Sequence, residues 1–226
     1  MRRIFGFIFL LCCGATLSLS AQQYDFGGLL NLEFEQKVVK KLDFNLETEA
    51  RFNRNFTSFD RFKVGTSFDY SFLKKKRLKL SLGADYLLYN DLGTTEHRGR
   101  VVGALTYTEK FSNFKLNYRV RLQSTFYDEL RGYHTINPKT YLRNRLQMTY
   151  TFKEKGMNVY ASTEFFLRLY QRENYFIDNF CTIVGWEYKL NKKNSIGIFF
   201  RMDNEIQVKN PENNFYIGIK YGFQNS

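Results

Sequence analysis

Two sets of charged residues could do chemistry in this chain. The first is a group of closely spaced acids: Glu33 and Glu35, then Glu47 and Glu49, followed by Arg51. Two carboxylates a residue apart on a strand point to the same side and could act as an acid and base pair. The second is a group of bases: Arg119, Arg121, Arg143 and Arg145, with Glu164, Arg168 and Arg201 further along. Bases this close to acids make ion pairing the better reading of Glu47 and Glu49 than catalysis. The chain has two histidines, His97 and His134, and both are expected in long loops. A lipid hydrolase would need a serine activated by a histidine. Ser124 and Asp128 are the residues that could approach His134, but no spacing requires it. The expectation is therefore that the protein is not an enzyme; a lipid-modifying hydrolase centred on His134 is the alternative. No CxxC or HExxH pattern is present, so no metal or cofactor is expected.

The elements that hold these charges are strands. Leu42, Phe44, Leu46, Thr48, Ala50 and Phe52 alternate with Asp43, Asn45, Glu47, Glu49 and Arg51. Period two gives one oily and one charged side. The pattern recurs to the end of the chain, as in Phe114 to Gln123, Leu142 to Phe152 and Ile196 to Asp203. Eleven strand candidates result, many of about 10 residues, the length of a tilted membrane-crossing strand. The chain has only 2 prolines but 24 Phe, 16 Tyr and 1 Trp, which favours strands over helices or disorder. Aromatics gather at the strand ends, for example Trp186 with Tyr188 and Tyr150 with Phe152, where a membrane-interface girdle would sit.

The ends and the connections add to this. Met1-Arg2-Arg3, the apolar run from Ile4 to Leu11 and the small residues before Gln22 have the layout of a secretory signal peptide. Residues 1–21 are read as that leader and 22–226 as one barrel domain. Short lysine-rich connections (37–41, 73–77, 109–113, 152–156, 191–194) alternate with mixed ones read as long loops (54–60, 91–98, 128–139, 171–178, 209–214). Outer-membrane barrels sort their connections this way, with the tight turns periplasmic. The full chain carries +12, of which Arg2 and Arg3 lie in the leader, and the +10 of residues 22–226 concentrates in those turns. It is a rim feature suited to anionic lipid headgroups, not the continuous basic face that nucleic acid requires.

Cost decides which side of each strand meets lipid. One Lys or Arg on the lipid face near the midplane costs about 2–4 kcal/mol. The charged faces carry about a dozen, so they must turn inward. The interior of a barrel is also where the acids of the first two strands and the arginines of the sixth and seventh can face one another. A near-balanced interior favours a charge network that fills the lumen; a narrow pore stays open as the other outcome. A soluble secreted β-sandwich that binds a ligand is the remaining fold alternative.

The segments LETEARFNRN, YLRNRLQMTYTF and IVGWEYKLNKKNSIGIFFR, within residues 22–226, resemble the domain of unknown function 2490 family of small bacterial outer-membrane barrels. The C-terminal YIGIKYGF is similar to the barrel-assembly signal of such proteins, carried by Tyr216, Gly218, Tyr221 and Phe223. The resemblance implies outer-membrane location, outer-membrane lipids and the barrel-assembly machinery as partners, and no agreed activity. The expected fold is all-β: a transmembrane antiparallel up-and-down barrel of 10–12 strands. Bacterial single-chain barrels are normally even, so twelve is preferred over ten.

Overall fold

The computed structural model describes residues 23–72, 77–91, 94–128, 137–169, 176–207 and 211–225. The expected leader, residues 1–21, and His134 lie outside them. Eleven strands follow one another: β1 (Gln23–Val39), β2 (Leu42–Asn53), β3 (Ser58–Phe72), β4 (Leu78–Asp91), β5 (Thr94–Phe111), β6 (Phe114–Tyr127), β7 (Lys139–Phe152), β8 (Met157–Leu169), β9 (Phe176–Lys189), β10 (Asn194–Glu205) and β11 (Glu212–Asn225). Each pairs with its chain neighbour, and β1 pairs with β11, which closes a barrel. One closed sheet leaves no second sheet for a sandwich, so the sandwich alternative is overturned.

Among the described residues there are eleven strands, within the expected ten to twelve but one short of the favoured twelve. With eleven strands the first and last run in the same direction, so the seam is parallel, from Gln23↔Glu212 to Gln36↔Asn225. All other pairs are antiparallel. The seam is reinforced by side chains: Gln224 Nε2 donates to Glu35 Oε1 at 2.7 Å and Asn225 Nδ2 to Gln36 Oε1 at 2.6 Å. A parallel pair satisfies backbone groups as an antiparallel one does, with slightly less stability per residue. Closure therefore does not need an even count. Among the described residues, β1 starts at the rim of the 206–211 connection and runs to the turn at 40–41, with no extra strand or inward fold.

The connections also differ from expectation. β4 ends at Asp91 and β5 begins at Thr94, so residues 94–98 are strand and His97 is not in a loop. β2 and β3 are joined by only residues 54–57. Three connections on that rim are longer: 128–138, 170–175 and 206–211. The polar residues of TTEHR misled the loop reading, because outside the apolar belt a strand can be polar on both faces.

Alternation sorts the side chains as required. Every strand except β2 places a large apolar side chain on the outside with more than a third of its surface exposed, including Leu32, Phe68, Leu82, Val101, Leu122, Leu146 and Ile198. The rings at the short-turn end pair along the rim: Tyr70 with Phe72, Phe111 with Phe114, Tyr150 with Phe152 and Trp186 with Tyr188. Charged and polar side chains, among them Glu49, Asp69, Glu164 and Asp203, make up most of the buried ones. The molecule is oily outside and charged inside, the reverse of a water-soluble domain.

Candidate functional site: the barrel lumen

The charged residues share the barrel lumen, and its two halves are built differently. In the half toward the 206–211 rim, ion pairs join neighbouring strands. Arg51 on β2 pairs with Asp60 on β3. Arg61 on β3 reaches Glu49 on β2 at 2.6 Å. Arg201 on β10 holds Asp203 at 2.8 Å and comes to 4.0 Å from Glu49, spanning the seam. Arg168 lies 3.6 Å from Asp178, and Arg100 lies 3.5 Å from Asp85. Arg98 sits between the rings of Tyr89 and Tyr127, at 3.8 and 4.6 Å from their centroids. Glu49, Leu87, Gln123, Glu164, Asp178 and Asp203 come from six different strands, and all are buried. Buried side chains thus line this half on at least six of the eleven strands.

At mid-height an apolar cluster adds to the filling. Leu29, Phe199 and Tyr216 are each less than 7 % exposed and pack together, with Tyr160 and Ile183 against them. These residues stand on the charged faces of their strands, so alternation alone gives no hint of them. Two lumen-facing glycines make the room. Phe199 is the cross-strand partner of Gly218, and a Cβ there would run into its ring. Gly185 is likewise covered by the ring of Tyr160. Gly218 thus has a packing reason to be glycine, besides its place in the expected assembly signal. In that signal Tyr216 and Gly218 face the lumen, while Ile217 and Tyr221 face outward.

The half toward the short turns is open. A cavity of about 750 Å³ runs in from that rim. One wall carries Glu33, Glu35, Asp43, Glu47 and Asp69; the opposite wall carries Lys115, Arg119, Arg121 and Arg145. Lys110, Lys189, Lys192 and Lys193 stand at its mouth. The acids mostly have partners of their own. Glu33 and Glu187 share Lys220, at 3.5 and 2.9 Å. Glu47 pairs with Lys63 at 2.7 Å and Asp69 with Lys79 at 2.5 Å.

The structure therefore does not bring the acids of β1 and β2 to the arginines of β6 and β7, as the sequence suggested. Adjacent strands lie about 4.8 Å apart, so a lysine or arginine one strand away satisfies a carboxylate without crossing the lumen. The arginine block has one carboxylate close by. Glu164 on β8 accepts from Arg119 Nη2 at 2.7 Å, and from Arg143 Nη2 at 2.8 Å and Nε at 3.2 Å. Arg143 Nη1 also donates to Gln123 Oε1 at 2.7 Å. Arg145 is the cross-strand neighbour of both Arg119 and Glu164, yet both Glu164 oxygens go elsewhere. Among the described residues, Arg121 and Arg145 have no hydrogen-bond or ion-pair partner, and Arg121 Nε is fully enclosed without one.

Of the residues weighed for catalysis, His134 lies outside the described residues. His97 projects outward from β5, where its Nδ1 hydrogen-bonds the Tyr86 hydroxyl. The Ser124 hydroxyl is engaged by Thr140 Oγ1 at 2.9 Å. Cys181 is a free, buried thiol inside the lumen.

The family model described as Protein of unknown function (DUF2490) matches residues 26–216. No curated protein matches the chain. Among solved structures, an anion-selective porin from Comamonas acidovorans is similar at 11 % identity, with a TM-score of 0.39 over 84 % of this chain. The chain spans 54 % of that porin's length.

Proposed function

The chain belongs to the DUF2490 family, and we propose that it is a non-enzymatic outer-membrane β-barrel, a structural envelope protein sealed by its own side chains. One observation carries this reading. The lumen is filled at mid-height and toward the 206–211 rim by the Leu29–Phe199–Tyr216 cluster and by buried ion pairs, so the cavity at the short-turn end is a blind vestibule. With the short turns periplasmic, the vestibule opens to the periplasm. The outward apolar belt and its aromatic rims take up outer-membrane lipids. The lysine-rich turns at that rim suit anionic headgroups. Tyr221 and Phe223 face outward on the last strand, where the barrel-assembly machinery could read them. Residues 1–21 serve as the export signal.

Planar bilayer recordings test the seal. Purified barrel should insert and give no steady single-channel conductance. Discrete openings at moderate voltage would replace the sealed barrel with the narrow pore. A lipase assay tests the non-enzymatic part: no hydrolysis is expected, and activity lost in His134→Ala would reverse it.

A further inference from the structure

The vestibule floor has an excess of positive charge that the protein does not neutralise. Arg119, Arg121, Arg143 and Arg145 form a two-by-two block, since Arg119 faces Arg145 and Arg121 faces Arg143 in the β6–β7 register. Guanidinium groups stay charged at any physiological pH. Glu164 satisfies two of the four. The cavity lining holds nine basic and six acidic side chains. The imbalance is not spread evenly. Glu33, Glu47, Asp69 and Glu187 are each held by a lysine, whereas among the described residues Arg121 and Arg145, at the deep end, have no hydrogen-bond or ion-pair partner. Away from bulk water, like charges this close repel strongly, and an enclosed guanidinium nitrogen without an acceptor costs more than one in solvent.

We propose that the vestibule is a binding site for a small phosphate-bearing solute, whose phosphate is held on the floor by Arg121 and Arg145. The inference rests on the reading of the lumen as a blind vestibule. Several features fit a phosphate better than a monocarboxylate. Two planar forks from adjacent strands offer more donors than two oxygens can use, and a phosphate dianion matches two unpaired charges. The way in is graded: lysines 110, 189, 192 and 193 at the mouth, Lys115 on the wall and arginines at the end. Such a gradient raises the local anion concentration and the association rate. The acid wall faces this path, but Glu33, Glu47 and Asp69 on it are held by lysines, which leaves the floor positive. Its hydroxyl, amide and carboxylate groups, including Ser67, Asn45 and Asp43, would accept hydrogen bonds from the solute's organic part. A cavity of about 750 Å³ has room for a phosphate ester larger than phosphate alone.

The test uses the refolded full barrel in detergent micelles, with glycerol 3-phosphate as the probe and calorimetry as the readout. One-to-one binding is expected, weakened about 10-fold or more by R121Q or R145Q and abolished in the double variant. Heat-modifiable gel migration should stay normal. Absence of binding by the wild type, or equal binding by a folded double variant, would overturn the proposal. Phenylglyoxal modification of the wild type gives a second readout that needs no variant. Glycerol 3-phosphate should protect Arg121 and Arg145 and leave the exposed Arg54 unprotected; equal protection of all three counts against the site. Nanodiscs with and without phosphatidylglycerol separate two sources of phosphate. Competition by the anionic lipid identifies a headgroup, and unchanged affinity identifies a solute. Conductance distinguishes the two readings: binding in a conducting barrel removes the seal and keeps the site, whereas a sealed barrel without binding keeps the seal and removes the site.

Discussion

The two halves of the lumen use the same residue types and reach opposite results. Toward the 206–211 rim, arginines meet carboxylates and rings at close range: Arg61 with Glu49, Arg201 with Asp203, Arg98 between Tyr89 and Tyr127. That half is solid. Toward the short turns, the acids are held by lysines on neighbouring strands and the arginines of β6 and β7 share one carboxylate. That half is hollow and positive at its floor. A balanced count of charges therefore does not say whether a barrel is plugged. What matters is whether each charge finds its partner one strand away, and whether anything apolar fills the space that remains.

Substitutions on either side of the divide should sharpen this contrast. The largest effect is expected at Glu164, the carboxylate shared by Arg119 and Arg143. Glu164→Gln leaves four arginines together without their anion and should cost about 4 kcal/mol, in the range for breaking a buried pair. Urea unfolding of the barrel followed by Trp186 fluorescence measures it; a change under about 1 kcal/mol would mean that the block is solvated enough not to need Glu164. Phe199→Ala should cost about 3 kcal/mol by emptying the apolar cluster, read by the same unfolding curve. Leu82→Arg on the outward face of β4 should cost about 2 kcal/mol or more in lipid, while Ser81→Arg, one residue away in the vestibule, should cost less than about 1 kcal/mol. Equal costs would undo the assignment of inside and outside. The smallest effect is expected at the mouth. Lys193→Gln should leave stability within about 0.5 kcal/mol, since this lysine's Nζ contact is with Asn225 at 3.3 Å, and should only slow the association of a phosphate probe, an effect that added salt removes.

Much of this was legible in the residue order. LDFNLETEARF alternates without a break, so its strand and its two faces follow from period two alone. The cost of placing arginine in lipid then decides which face is inside, before any neighbour is known. His97 shows where local reading failed: TTEHR looks like a loop because it is polar on both faces, yet it continues β5 beyond the apolar belt. The preference for twelve strands within the range of ten to twelve gave way for a different reason. Eleven candidates were visible, but closure by a parallel seam depends on which edges meet, and no property of one strand contains that.

The residues themselves determine that this chain makes long amphipathic strands, that the charged faces point inward, and that the basic excess lies at one rim. These follow from periodicity and transfer cost, which are local. Only the tertiary structure decided that β1 closes on β11, that Leu29, Phe199 and Tyr216 meet over glycines to seal the middle, and that Glu164 serves Arg119 and Arg143 while Arg121 and Arg145 go without. Each of these depends on register between strands far apart in the chain. A shift of two residues in any ladder would leave every face unchanged and every partner different.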